Sequence, residues 1–304
     1  MQAKDFQRMA SFHSDELQFN YATRGPGTHT FIFQHGIGGT LAQPFRFLIP
    51  REGEDPNVEK EPCSHARQFR MAAFDFRAHG ATPLGDPEKL RIDIFADDLV
   101  AFMNHLQVET AVLGGISMGA AVALSAALRY PERCIALVLC RPAWLNGSMS
   151  SQAIAAYAEV VRLLRNEPSP ESALQKLEKS DICRAVVEQC ADAGKSLLGQ
   201  VRCVVSDPNI REAAIARLQY LPTGQSGLDL QSAATVNVPT LIMATPDDPI
   251  HPLSFAEALA GAIPHASFVK LGPKRLNDGP HIEEVNSQIA HFLDSVFAMN
   301  LPNF

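Results

Sequence analysis

With 304 residues, of which 46% are hydrophobic and 19% charged, the chain can bury one large core or two smaller ones, which excludes an intrinsically disordered protein. A formal charge of -7, a pI near 5.8 and no Lys/Arg cluster argue against nucleic acid or an anionic membrane surface as partner. The longest apolar runs, such as Ala120 to Leu124 and Ile135 to Cys140, fall far short of the roughly 20 residues that cross a bilayer.

Residues Met1 to Thr30 mix charged and apolar positions and hold no uninterrupted apolar core of a secretory signal, so the written start is expected to be the mature one. Short apolar runs bounded by turns then recur as predicted strands at Glu16 to Thr23, Thr30 to Gln34, Met71 to Phe76, Thr110 to Gly114, Ile135 to Cys140, Thr240 to Ala244 and Ser267 to Leu271. Helix-length segments separate most of them. Ile94 to Leu106 has apolar residues at helical spacing, and Met118 to Arg129 is Ala-rich and stops at Tyr130-Pro131. This alternation predicts an α/β fold with a mostly parallel sheet covered by helices on both faces.

Two stretches interrupt the pattern. Pro50 to Ala66, with five acidic residues and three prolines, reads as a solvated loop. Between Gly147 and Asn237 no strand pattern occurs, and helical patterns follow one another at Ile154 to Arg165, Glu171 to Lys179, Ile182 to Leu198 and Asn209 to Gln219. The expected organisation is therefore a core formed by 1–146 and 238–304, with a helical lid at 147–237. Cys63, Cys134, Cys140, Cys183, Cys190 and Cys203 lie at irregular spacings without a CxxC pair and read as reduced thiols of a cytoplasmic protein.

The candidate chemistry begins at Gly115-Ile116-Ser117-Met118-Gly119. A G-x-S-x-G run between a strand and a helix forces its serine onto a sharp turn with the hydroxyl exposed, and the helix directs its first amides toward developing negative charge. A serine hydroxyl needs a base, and the base an orienting carboxylate. Asp248, after the predicted strand Thr240 to Ala244, is the carboxylate candidate, with its neighbour Asp247 as the alternative. His281, after the last predicted strand and before an amphipathic segment ending near Phe297, is the candidate base. His251 and His265 precede that strand and read as surface or pocket-lining residues. The amides of Met118 and of Ile37, in the glycine-rich run Gly36-Ile37-Gly38-Gly39, are the candidate oxyanion donors. Gly36 and Trp144 are candidate substrate contacts, and packing at the lid hinge is the other reading of Trp144.

The His35-Gly36 loop, Asp75-Phe76-Arg77-Ala78-His79-Gly80, the Ser117 turn, Asp248-Pro249-Ile250-His251-Pro252 and His281 together resemble the α/β-hydrolase superfamily over almost the whole chain. Thr110 to Ala143 is similar to its 3-oxoadipate enol-lactonase and esterase branch. The resemblance implies a serine esterase or lactonase working through an acyl-enzyme on a small-molecule substrate. C–C bond hydrolases, perhydrolases and receptor-like members with little turnover are the alternatives. Ala78 and Thr245 stand where members usually carry glycine, and the segment Gly272 to Pro280 is longer than usual. No metal-ligand spacing or phosphate-cradling fingerprint implies a cofactor, and self-association into a homo-oligomer stays open.

Overall fold

A computed structural model describes residues 8–46, 69–224, 226–273 and 279–298. Eight strands form one sheet: β1 (Arg8–Ser14), β2 (Leu17–Arg24), β3 (His29–Gln34), β4 (Phe69–Phe74), β5 (Ala111–Ile116), β6 (Cys134–Cys140), β7 (Thr240–Ala244) and β8 (Ala266–Lys270). Their order is β1-β2-β4-β3-β5-β6-β7-β8. β1 pairs antiparallel with β2, and β2 with β4; every later pairing is parallel. Seven strands coincide with the predicted runs to within a few residues. The eighth, β1, was not predicted. It carries one large buried apolar side chain, Phe12, which stacks on Phe19 of β2 at 5.0 Å between ring centroids.

Successive side chains of a strand point to opposite faces, and both faces of this sheet are apolar. Ile32, Ala72, Phe74 and Leu113 enter one core layer, under α1 (Ile92–His105) and α2 (Met118–Arg129). Phe31, Phe33, Met71 and Val112 enter the other, with Val285, Ile289 and Leu293 of the C-terminal helix Gly279–Ala298. The chain therefore buries two layers on one sheet, as an α/β architecture requires.

Six helices separate β6 from β7: α3 (Ser151–Asn166), α4 (Pro170–Lys179), α5 (Asp181–Gln189), α6 (Ala191–Ser206), α7 (Arg211–Tyr220) and the short α8 (Leu230–Ala233). Ser150, Ser169 and Ser180 cap the first three by accepting a backbone N–H three residues on, which fixes where each begins. The single helix expected over Ile182 to Leu198 is two, because Cys190 adopts an extended backbone (φ -151°, ψ 107°) between α5 and α6. After β7 come α9 (Leu253–Ala262), β8 and α10 (Gly279–Ala298).

The loop expected at Pro50 to Ala66, with Cys63, lies outside the described residues, as do Lys274 and Arg275 of the final loop. The other five cysteines are free thiols. No helix among the described residues is long and apolar enough to cross a membrane.

Candidate active site

β4 and β5 leave opposite sides of β3, so the strand order reverses there and opens a crevice at the carboxyl ends of β3 and β5. Ser117 sits at that end of β5. Its backbone is strained, with φ 57° and ψ -109°, and its N–H donates to the Cys140 carbonyl at 2.9 Å. Glycine on either side makes the turn feasible. A Cβ on Gly115 would meet the Gly119 backbone at 2.5 Å, and one on Gly119 would meet the Gln34 carbonyl at 2.4 Å. Met118 opens α2, so its amide is the first N–H of that helix. Across the crevice lies the loop after β3, where a Cβ added to Gly36 would stand 3.4 Å from Ser117 Cβ. The Gly36 N–H donates to Gln43 Oε1 at 2.8 Å, which shapes the loop that carries Ile37.

The imidazole at Ser117 is that of His251. The Ser117 hydroxyl lies 2.9 Å from His251 Nε2, and His251 Nδ1 lies 2.9 Å from Asp248 Oδ2. A carboxylate only accepts, so Nδ1 carries the proton and Nε2 is left to accept from the serine. All three residues are buried. Asp248 and Ser117 thus meet as anticipated, while the contact expected of His281 is corrected to His251. The physical cause is a turn: Asp248 Oδ1 accepts the N–H groups of Ile250 (3.0 Å) and His251 (3.1 Å), folding the chain back so that a side chain three residues on reaches Oδ2. His281 lies within the first turn of α10, on a helix that begins earlier than the sequence pattern implied. Asp-x-x-His between two prolines was the available signal. It departs from the chain order the resemblance implies, in which the histidine follows the last strand.

Asp248 Oδ2 also accepts from Arg141, which leaves β6 with φ 51° and reaches Asp192 on α6 at 3.4 Å. Burial works to raise the Asp248 pKa, but the charges of His251 and Arg141 and their hydrogen bonds outweigh it and hold the carboxyl well below the usual carboxylate range. For His251, burial dominates and Arg141 adds to it, against the pull of Asp248. The imidazole therefore titrates below its ordinary 6.5 and is neutral at pH 7.

Two further histidines under the crevice are structural. His35 Nδ1 donates to the Gly36 carbonyl (2.9 Å) and Nε2 accepts the Phe76 N–H (3.2 Å), and burial holds its pKa down to about 4. His79 donates from Nδ1 to the Arg77 carbonyl at 2.8 Å. The helical insertion touches the crevice from above. Gln200 of α6 donates to the Ile37 carbonyl (3.2 Å), and Arg217 of α7 to that of Ala78 (3.0 Å). Trp144 is buried and gives its indole N–H to the Leu221 carbonyl at 3.1 Å, so its polar edge ties the start of the insertion to the end of α7 rather than facing a ligand.

Residues 29–180, half of the chain, match the family model described as alpha/beta hydrolase fold. The chain belongs to this family. Among alpha/beta hydrolases it is 24% identical to 3-oxoadipate enol-lactonase 2 of Acinetobacter baylyi over 87% of this chain and 89% of that protein. It is 26% identical to a putative carbamate hydrolase, RutD, of Pantoea ananatis over 67% and 70%. The crystal structure of the enol-lactonase from Burkholderia xenovorans superposes with a TM-score of 0.66 at 18% identity, over 93% of this chain and 99% of that one, which shows a shared fold.

Proposed function

We propose that this alpha/beta hydrolase cleaves a carboxylic ester or lactone of a small organic substrate through an acyl-enzyme, with Ser117 as nucleophile, His251 as general base and Asp248 orienting the imidazole. The observation that carries the reading is the continuous relay Ser117 Oγ to His251 Nε2 to Asp248 Oδ2, with both steps at 2.9 Å. Similarity to an enol-lactonase over most of both chains supports the ester or lactone class.

His251 accepts the Ser117 proton as the oxygen attacks the carbonyl carbon. The tetrahedral oxyanion that forms is held by the amides of Met118 and Ile37, both fixed before reaction by helix and loop. The imidazolium, stabilised by Asp248, returns its proton to the departing alkoxide. Water then enters and loses a proton to His251 as it attacks the acyl carbon, and His251 passes that proton to Ser117 Oγ as the acid departs. The helices between β6 and β7 act as the lid that shapes the acyl and alcohol sites, and Gly36 lines its floor.

The assignment of the base is tested by comparing His251→Asn with His281→Asn on a neutral aryl ester and by fluorophosphonate labelling. The expected result is a loss of roughly 10³-fold or more for the first, the size typical of removing a triad member, with the second still turning over. Ser117→Ala is expected to stay unlabelled. Abolished turnover in His281→Asn with activity retained in His251→Asn would return the base to position 281.

A further inference from the structure

The loop that carries Ile37 is held by the core on one side and by Gln200 of the helical insertion on the other. From the core, the Gly36 carbonyl accepts from His35 Nδ1 and from the Gly39 N–H, both at 2.9 Å, and Gln43 takes the Gly36 N–H. A trans peptide sets its N–H opposite its carbonyl, so fixing the Gly36 oxygen turns the Ile37 N–H the other way. Among the described residues nothing accepts that N–H, which leaves it open to an oxyanion. Gly36 is also where the loop meets the nucleophile, since a Cβ built on it would contact Ser117 Cβ and the Ile116 carbonyl, each at 3.4 Å.

The core leaves the other half of Ile37 to the insertion. Gln200 Nε2 donates to the Ile37 carbonyl at 3.2 Å, and the Gln200 amide fills the space beside Gly38, where a Cβ would run into Oε1 and stand 2.5 Å from Nε2. Gly38 has φ 74°, so a bare residue in the left-handed region is what admits the amide. Gln200 is 4% exposed, and its Oε1 is buried without a hydrogen-bond partner among the described residues. A buried amide with an idle oxygen is less stable there than an apolar side chain of the same size, so packing alone does not call for glutamine. The same helix reaches the relay, because Asp192 in the first turn of α6 meets Arg141. Gln200 follows Asp192 by a little over two turns, about 12 Å along the axis, so α6 runs from the relay carboxylate to the loop of Ile37.

We propose that Gln200 is a positioning residue for the hydrolysis. By holding the Ile37 carbonyl it fixes the peptide that follows Ile37, and with it the direction of the Ile37 N–H, so that the oxyanion hole is completed by α6 and is not built by the core alone. An aligned N–H gains most once the substrate carbonyl oxygen carries negative charge, so losing the alignment falls on the transition state and not on substrate binding. The inference rests on the serine-hydrolase reading and adds to it the side chain that aligns one of its two amides.

Gln200→Met keeps the length of the side chain and removes the donor. On a neutral aryl ester its kcat is expected to fall roughly 10- to 100-fold with KM little changed, a smaller loss than the roughly 10²- to 10³-fold typical of deleting an oxyanion donor outright. Acylation and deacylation both pass through an oxyanion, so the loss appears in kcat whichever step limits it. Two ketones separate alignment from packing. An aryl trifluoromethyl ketone takes Ser117 Oγ onto its carbonyl carbon, gives the serine proton to His251 and sets the resulting oxyanion in the hole, whereas the matching methyl ketone binds unreacted. Gln200→Met is expected to weaken the first by about the factor lost from kcat/KM and to leave the second unchanged. Gln200→Glu has the native shape with an acceptor where Nε2 donates, and carries the same comparison if Gln200→Met does not fold. Wild-type kcat in a folded variant overturns the inference. So does an equal loss of affinity for both ketones, which would make Gln200 a packing residue of the insertion. A wild type that neither turns over an aryl ester nor takes a fluorophosphonate on Ser117 overturns the serine-hydrolase reading, and the inference with it.

Discussion

Ser117 occupies a backbone conformation that L side chains rarely adopt, and it persists because two glycines and the Cys140 carbonyl over-determine the turn. Gly119 is the tighter neighbour, since its Cβ would stand 2.4 Å from the Gln34 carbonyl, a backbone atom of β3 that cannot swing aside. Gly119→Ala is accordingly expected to push α2 away from β3 and displace Ser117 from His251. The predicted outcome is a drop in kcat of roughly 100-fold, the cost typical of a misplacement near 1 Å, with far-UV circular dichroism unchanged. Full activity in that variant would mean that the turn tolerates a shift of the helix. Here the sequence was informative because strain demands particular residues. Ala78, standing where the family usually has glycine, adopts φ 62°, so the departure noted there is a real left-handed position, whereas at the second such departure the left-handed residue is Asp247 and not Thr245. The base was not legible in the same way. His251 is placed by two hydrogen bonds to Asp248 Oδ1, and no periodicity encodes a turn made by a side chain.

At the level of elements, the relay is held between the end of β6 and the start of α6. Arg141 leaves β6 and places its guanidinium between Asp248, in the loop after β7, and Asp192, in the first turn of α6. As the proposed base, His251 must be neutral to act, so activity is expected to fall as pH drops through its pKa, a limb that burial together with Arg141 sets below 6.5. Arg141 lowers the His251 pKa and Asp192 raises it. Removing each charge should therefore move the acid limb in opposite directions. Arg141→Met shifts it to higher pH, and Asp192→Asn shifts it to lower pH. Profiles of kcat/KM against pH on a neutral aryl ester measure both, and Asp192→Asn gives its own reading if the arginine variant proves unstable. Shifts of the same sign, or none, would show that the helical insertion does not tune the relay. The sequence displayed the helices of the insertion as apolar periodicity, but the contact between Asp192 and Arg141 joins positions far apart in the chain and has no local signature.

Across the whole molecule, the inner strands of the parallel sheet were legible because both their faces are buried, so that β5, β6 and β7 appear as near-continuous apolar runs. β1 was not, because as an edge strand it commits a single large side chain, Phe12, to the core and is otherwise polar enough to pass for a loop. What fastens that edge is Arg77. It donates to Asp98 of α1 through Nε at 2.6 Å and Nη2 at 2.7 Å, reaches Asp15 in the β1–β2 turn at 3.3 Å, and lies over the Phe19 ring at 5.5 Å. Arg77 and Asp98 are both 2% exposed, whereas Asp15 is 35% exposed and is also shared with Lys89 at the surface. Breaking the two contacts should then have unequal effects. Asp98→Asn strands a buried guanidinium beside a neutral group and is expected to cost on the order of 3 kcal/mol, a sizeable part of the roughly 5–15 kcal/mol that holds a typical domain together. Asp15→Asn removes a solvated partner, so its effect should be smaller and should shrink as salt is added. Urea unfolding at low and high ionic strength separates the two. A loss for Asp98→Asn that salt erases, or one no larger than that of Asp15→Asn, would mean that the buried pair is not what holds the β1–β2 edge to α1.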